Sequence, residues 1–213
     1  MNIAAYIRTS TIDYPGHISS VVFTKGCNMR CEYCHNKDLE VSSDNISMKN
    51  VINHLSKRKG LLDGVTITGG EPTMQTGLIK FCKKVKSMGF KIKLDTNGTN
   101  PEVVKELIDS HLVDYIAMDF KTSPKKYQEL SGISFEKVKK SYEIIRMFHS
   151  YEFRTTLYPT IDKDDVLEIL EMVNKENYYI QQYRKNNDFD LDPYENEYVK
   201  TLCDELKLKH RGI

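Results

Sequence analysis

Short runs of apolar and β-branched residues alternate along this chain with stretches whose apolar positions recur at helical spacing. Ile18-Ser19-Ser20-Val21-Val22-Phe23 reads as a buried strand. Ser47 to Lys59 reads as a helix, capped by Ser47 and stopped by Gly60. Val65 to Thr68 is a second strand, running into Gly69-Gly70. Leu78 to Met88 places Leu78, Phe81, Cys82 and Val85 on one helical face, with Gly89 behind it as the stop. Lys91 to Leu94 is a third strand, and Asn100-Pro101-Glu102 opens the next helix with a cap residue, a first-turn proline and an acid. Val113 to Phe120 is a fourth strand. The helix from Phe135 to Phe148 aligns Val138, Tyr142, Ile145 and Phe148. Glu152 to Leu157, a helix from Asp164 to Val173, and Tyr178 to Gln182 complete the series, and a polar tail carries a helix from about Glu195 to Leu206.

Regular alternation of this kind predicts an α/β fold whose parallel strands are joined by right-handed crossovers. Six units fall short of a closed eight-stranded barrel, which leaves an open partial barrel or a doubly wound sheet. Either way, functional residues gather at the C-terminal ends of the strands. The cysteine-rich segment, Gly69-Gly70-Glu71-Pro72, Asp95-Thr96-Asn97-Gly98, Asp119 with Lys121, Tyr158-Pro159-Thr160 and Gln181-Gln182-Tyr183 all fall there. Residues 1–183 are expected to form the barrel domain, with 184–213 a tail packed on it.

The chain has 213 residues, long enough for a sizeable core. Its 31 basic and 30 acidic side chains leave a net charge of +1, which excludes a global basic field for nucleic acid. No apolar run approaches the about 18 residues of a membrane span, and Met1 to Ala5 lacks a signal-peptide pattern, so the cytoplasm is the expected location. The basic runs at Lys57 to Lys59, Lys83-Lys84, Lys137 to Lys140 and Lys207 to Arg211 read as solvated faces, mostly of helices.

Three of the 5 cysteines, Cys27, Cys31 and Cys34, share one short loop. Clustered thiols in such a chain point to metal rather than to disulfides. Three thiolates suit an iron–sulfur cluster with one iron left open, whereas a structural zinc site is closed by four ligands. Zinc, with His35 or a distant cysteine as fourth ligand, is the alternative on spacing alone. Cys82 and Cys203 read as buried structural thiols.

Cys27-x3-Cys31-x2-Cys34 with Gly69-Gly70-Glu71-Pro72 resembles the signature of radical S-adenosylmethionine (SAM) enzymes. Thr11-Ile12-Asp13-Tyr14-Pro15-Gly16 and Cys34-His35-Asn36 resemble the glycyl-radical-enzyme activases within that superfamily, most nearly those serving anaerobic ribonucleoside-triphosphate reductase. The resemblance implies a partial (β/α)6 barrel of the radical SAM type. It implies a [4Fe–4S] cluster on Cys27, Cys31 and Cys34, with SAM on the open iron, cleaved reductively to abstract hydrogen from a partner's glycine. Gly69, Gly70 and Glu71 would then meet the methionyl amino group, Tyr33 would lie near adenine, and Asn36 and Asn97 would belong to the SAM site. Asp95, Thr96 and Asp119, with the carbonyl of Ala117, match positions that hold a monovalent cation in the pyruvate formate-lyase activase. Lys121 would contact the SAM carboxylate, or be a surface lysine, and His35 would stand behind the ligands.

The chain lacks the cysteines of the ferredoxin-like insert that some activases carry, so one cluster is expected. Gln181-Gln182-Tyr183-Arg184 replaces a histidine-bearing segment of the pyruvate formate-lyase activase. The implied partners are a glycyl radical enzyme, most directly anaerobic ribonucleotide reductase, and a reductant such as flavodoxin or ferredoxin. Rival readings are a pyruvate formate-lyase activase, a 7-carboxy-7-deazaguanine synthase with a closed small-molecule pocket, and a zinc-stabilised α/β binding module.

Overall fold

The computed structural model describes residues 1–34, 36, 37, 39, 46–185 and 191–212. Among these described residues, eight strands form one sheet in chain order. They are β1 (Ile3–Ser10), β2 (Ser19–Thr24), β3 (Gly64–Gly69), β4 (Lys91–Thr96), β5 (Tyr115–Asp119), β6 (Tyr151–Leu157), β7 (Tyr178–Gln182) and β8 (Lys209–Arg211). The helices between and beyond them are α1 (Met48–Ser56), α2 (Leu78–Lys86), α3 (Pro101–Asp109), α4 (Tyr127–Ser131), α5 (Phe135–Ile145), α6 (Lys163–Leu170) and α7 (Asn196–Leu206). Three-residue 3-10 turns at Pro72–Met74, Pro124–Lys126 and Lys175–Asn177 complete the described elements.

The six strands anticipated from hydrophobic patterning are β2 to β7, and every neighbouring pair among them is parallel. The architecture is an open α/β partial barrel. Two further strands correct the six-strand expectation. β1 pairs antiparallel with β2, and β8 adds a parallel edge beside β7. Neither carries the apolar signature of an inner strand. Beyond Ile3 and Ala4, β1 is half-buried or exposed, and Lys209-His210-Arg211 has no apolar residue at all. Lys209 to Arg211 is therefore a strand held by main-chain pairing, not part of a helical face.

The helices bury the stripes that their periodicity dictates. α2 buries Leu78, Phe81, Cys82 and Val85, and α5 buries Val138, Ser141, Tyr142 and Ile145. The Ser47 hydroxyl caps α1 by accepting from the Asn50 amide at 3.2 Å. That helix ends at Ser56, three residues before the predicted stop at Lys59, where Gly60 turns the chain at φ +79. Asn100 stands at the α3 cap position but makes no capping bond. Its side-chain amide donates instead to the Thr73 hydroxyl at 2.9 Å, tying the α3 entry to the turn after β3. The tail follows the same logic: α7 buries Val199, Leu202 and Cys203, and β8 returns the chain to the sheet.

Candidate functional site

The C-terminal ends of β2 to β7 surround a cavity of about 250 Å³. Twelve of the thirteen residues expected to be functional line it: Cys27, Cys31 and Cys34, Tyr33 and Asn36, Gly69 and Gly70, Asp95-Thr96-Asn97, Asp119 and Lys121; Glu71 does not. Met29, Thr68, Arg154, Thr156 and Gln181 complete the wall. His35 lies outside the described residues.

Local geometry explains why two loops meet so closely. Gly26 has φ +86, a turn favoured by glycine, and its carbonyl accepts from the Glu71 amide at 2.8 Å. The Gly70 amide donates to the Thr24 carbonyl at 2.9 Å. A Cβ on Gly70 would stand 2.1 Å from the Gly26 carbonyl oxygen, so only glycine lets the cysteine loop seat against β3. Gly69, at φ +107, would bring its own Cβ to 2.5 Å from the Thr24 nitrogen.

Glu71 lies beneath this junction rather than in the cavity wall. Its Oε1 accepts from the Thr73 amide at 3.0 Å, the Thr96 hydroxyl at 2.7 Å and the Thr73 hydroxyl. Its Oε2 accepts from the Asn97 amide at 2.7 Å. Burial pushes its carboxyl up, and these donors oppose the shift. One carboxylate thus joins the turns after β3 and β4. Asn97 extends the joint, donating to Asn28 Oδ1 at 3.0 Å and, more weakly, to Cys27 Sγ at 3.7 Å.

The cysteine loop is braced from several sides. The Asn36 amide side chain donates to the Gly69 carbonyl at 3.0 Å, and the Met29 amide to Cys27 Sγ at 3.4 Å. Tyr33 stacks on Tyr158 with ring centroids 4.6 Å apart and donates its hydroxyl to the Lys121 carbonyl at 2.8 Å. Among the described residues, none of the three loop cysteines is in a disulfide. Burial pushes the Cys27 thiol up to about 11 and raises Cys31 as well. Cys82, in the α2 stripe, is pushed up to about 12 by burial and lines no part of the cavity. Among the described residues, no three His, Cys, Asp or Glu side chains group as ligands of a single ion would. The three thiols all line the cavity.

Another part of the lining is ionic. Asp119 Oδ1 accepts from Arg154 Nε at 2.7 Å, and its Oδ2 from Lys121 Nζ at 2.9 Å. Lys93 pairs with Asp95, and Arg154 Nη1 lies 3.6 Å from the same carboxylate. Burial alone would push the Asp119 carboxyl up. The Arg154 guanidinium and the Lys121 ammonium outweigh it and hold Asp119 well below the usual carboxylate range. Lys121 is a cavity residue, not a solvated lysine. Arg154, Lys93 and Thr156 were missed from sequence, although a signal existed. In β6, Glu152, Arg154 and Thr156 stand at alternate positions and so share one face, and the covered faces of a parallel sheet leave charges nowhere to point but the barrel interior.

The family model for the radical SAM superfamily matches residues 21–173, and the chain belongs to that superfamily. A protein of Methanocaldococcus jannaschii, provisionally named a glycyl-radical enzyme activating enzyme, is 35% identical over 212 residues, covering 92% of this chain and 88% of its own length. The chain is an enzyme of the glycyl-radical enzyme activating family. The pyruvate formate-lyase 1-activating enzyme of Escherichia coli K12 is 32% identical over 144 residues, covering 62% of this chain and 57% of that protein. Among solved structures, Streptococcus suis SuiB bound to S-adenosylmethionine superposes with a TM-score of 0.62 at 17% identity, over 87% of this chain and 47% of that one. At that identity the likeness is one of fold, and the chain spans about half of that structure. The superfamily works with a [4Fe–4S] cluster and SAM, and the donor set fits: three cysteine thiols on one loop line one cavity. No helix among the described residues is long and apolar enough to cross a membrane.

Proposed function

We propose that Cys27, Cys31 and Cys34 hold the cluster, that SAM occupies the adjoining cavity, and that the enzyme abstracts hydrogen from a glycine of anaerobic ribonucleoside-triphosphate reductase. The carrying observation is that three loop thiols, the Gly69-Gly70 turn and the Asp119–Lys121 pair open into one cavity. When bound, the reduced cluster and SAM supply the hydrogen-abstracting chemistry. The protein's part is to place and to shield. Gly69 and Gly70 present bare backbone to the methionyl amino group, and Lys121 presents a compact positive charge to the carboxylate. Tyr33, held by its stack on Tyr158, would present its ring at the cavity to adenine. Flavodoxin or ferredoxin would deliver the electron.

Support for the reductase over the lyase as partner comes from the end of β7 and the residues after it, Gln181-Gln182-Tyr183-Arg184, where Gln181 meets the cavity and no histidine stands. Anaerobic reconstitution followed by iron and sulfide analysis tests the cluster. The wild type should take up one four-iron cluster, and Cys27→Ala, Cys31→Ala and Cys34→Ala should each lose most of it; full iron content in any one of them overturns the assignment. Incubation with SAM, reductant and either partner then decides the substrate. A glycyl radical signal in electron paramagnetic resonance is expected on the reductase, and a signal on pyruvate formate-lyase alone would transfer the assignment there.

A further inference from the structure

The ionic wall contains more fixed positive charge than its two cavity carboxylates require. Asp119 is held on both oxygens, by Arg154 and by Lys121. Asp95 has Lys93 as its partner, with Arg154 close on its other side. The third carboxylate of the group, Glu152, lies 3.7 Å from Arg154 and is bound separately by Arg211 at 2.6 Å. Lys93 is only 3% exposed, an ammonium placed inside a barrel, where no packing role would justify the desolvation cost.

Of the groups that the sequence resemblance would assign to a monovalent cation, the three side chains are engaged elsewhere. Asp95 and Asp119 are in ion pairs. The Thr96 hydroxyl donates to Glu71 at 2.7 Å and accepts from the Gly98 amide at 3.1 Å. Ala117 lies within the sheet, in register with Asp95 on one side and Glu152 on the other. A sodium or potassium ion between the two aspartates would have to displace a guanidinium held at 2.7 Å, or sit against it as a like charge. The residues present do not fit that ion.

We propose that Arg154, with Lys93, is a built-in counter-ion that replaces the monovalent cation, so that SAM binding in this enzyme is independent of sodium and potassium. Arg154 is then a positioning residue. It spans from β6 to the ends of β4 and β5, fixes both aspartates, and shares Asp119 with the Lys121 ammonium beside the cavity. A planar guanidinium with several donors can bridge two carboxylates in a way that a hydrated metal ion would otherwise have to.

The inference rests on the proposed SAM site, so the test includes a readout that needs no SAM. Wild-type protein is melted, and SAM affinity is measured, in potassium chloride and in tetramethylammonium chloride of equal ionic strength. Both values should agree between the salts, with the SAM Kd unchanged within about twofold, since a coupled ion would shift it by about fivefold or more. A larger salt-specific loss of affinity, or a melting temperature that rises in potassium, overturns the proposal. The Lys93→Met/Arg154→Met variant leaves Asp95 and Asp119 with one lysine between them. It should gain what the wild type lacks, melting higher and binding SAM more tightly in potassium than in tetramethylammonium. Indifference of this variant to the salt also overturns the proposal. If the double variant does not fold, Arg154→Met alone is melted in both salts, with a potassium-dependent rise again expected and its absence decisive. Should SAM bind in neither salt, the functional reading fails, while the melting data still decide the charge assignment.

Discussion

At the scale of single residues, the site depends on atoms that are missing as much as on those present. Gly70 allows the cysteine loop to close on β3, because any Cβ there would strike the Gly26 carbonyl at 2.1 Å. Gly70→Ala should cost about 1–3 kcal/mol through this overpacking and lower cluster uptake on reconstitution, because the displaced loop carries Cys27. Gly60→Ala is the matching control. Its φ is +79 with nothing within 4 Å of the added methyl, so about 1 kcal/mol of backbone strain is expected with iron content intact. Equal iron content in the two variants would refute the argument. The motif residues were legible in sequence because cysteine triplets and paired glycines at strand ends have few other uses. Arg154 was not, because an arginine inside a strand gives no sign of its partners: Asp119 lies 35 positions earlier and meets it only through the register of β5 with β6.

At the scale of elements, inner strands and crossover helices were readable from periodicity, since each must bury a face. The edge strands were not: β1 and β8 owe their place to backbone pairing with β2 and β7, which leaves no side-chain pattern. Contacts that tie helices to the site were equally hidden. Asp162 and Asp165 form a reciprocal cap at the start of α6, at 3.1 Å in each direction. Asp165 also accepts from Ser123 and from Lys126, both at 2.7 Å, which docks α6 against the turn that follows Lys121. Burial pushes the Asp165 carboxyl up, but Lys126, Ser123 and the Asp162 amide outweigh it and hold it below its ordinary value of 3.8. A depressed folded value stabilises the fold above that ordinary pH, and the stabilisation is lost as pH falls through the folded value. Asp165→Asn should therefore cost about 1–2 kcal/mol at neutral pH by urea unfolding, and the gap to wild type should narrow as pH falls below the ordinary value of 3.8. A gap of equal size at both pH values would show that the charge is not what matters.

For the molecule as a whole, an open barrel must finish its two edges, and the second edge is finished ionically. Glu152 is fully buried in β6, yet Arg211, near the chain's end, reaches it through two bonds of 2.8 and 2.6 Å from β8. Tyr115 of β5 donates to the same carboxylate at 2.8 Å. The Arg211 guanidinium also covers the face of Tyr179, 4.1 Å from the ring centroid. This three-residue strand is too short and too charged to recruit another chain, which protects the edge it forms. It also sets the charge balance of the cavity, because Glu152 without Arg211 would compete with Asp119 and Asp95 for Arg154. Arg211→Ala should therefore cost about 1–3 kcal/mol by chemical denaturation, the penalty of leaving a buried acceptor short of donors. Adding Glu152→Gln removes the stranded charge and should recover part of that loss. If the two changes prove additive instead, the pair is not coupled, and the last strand is held by its backbone alone.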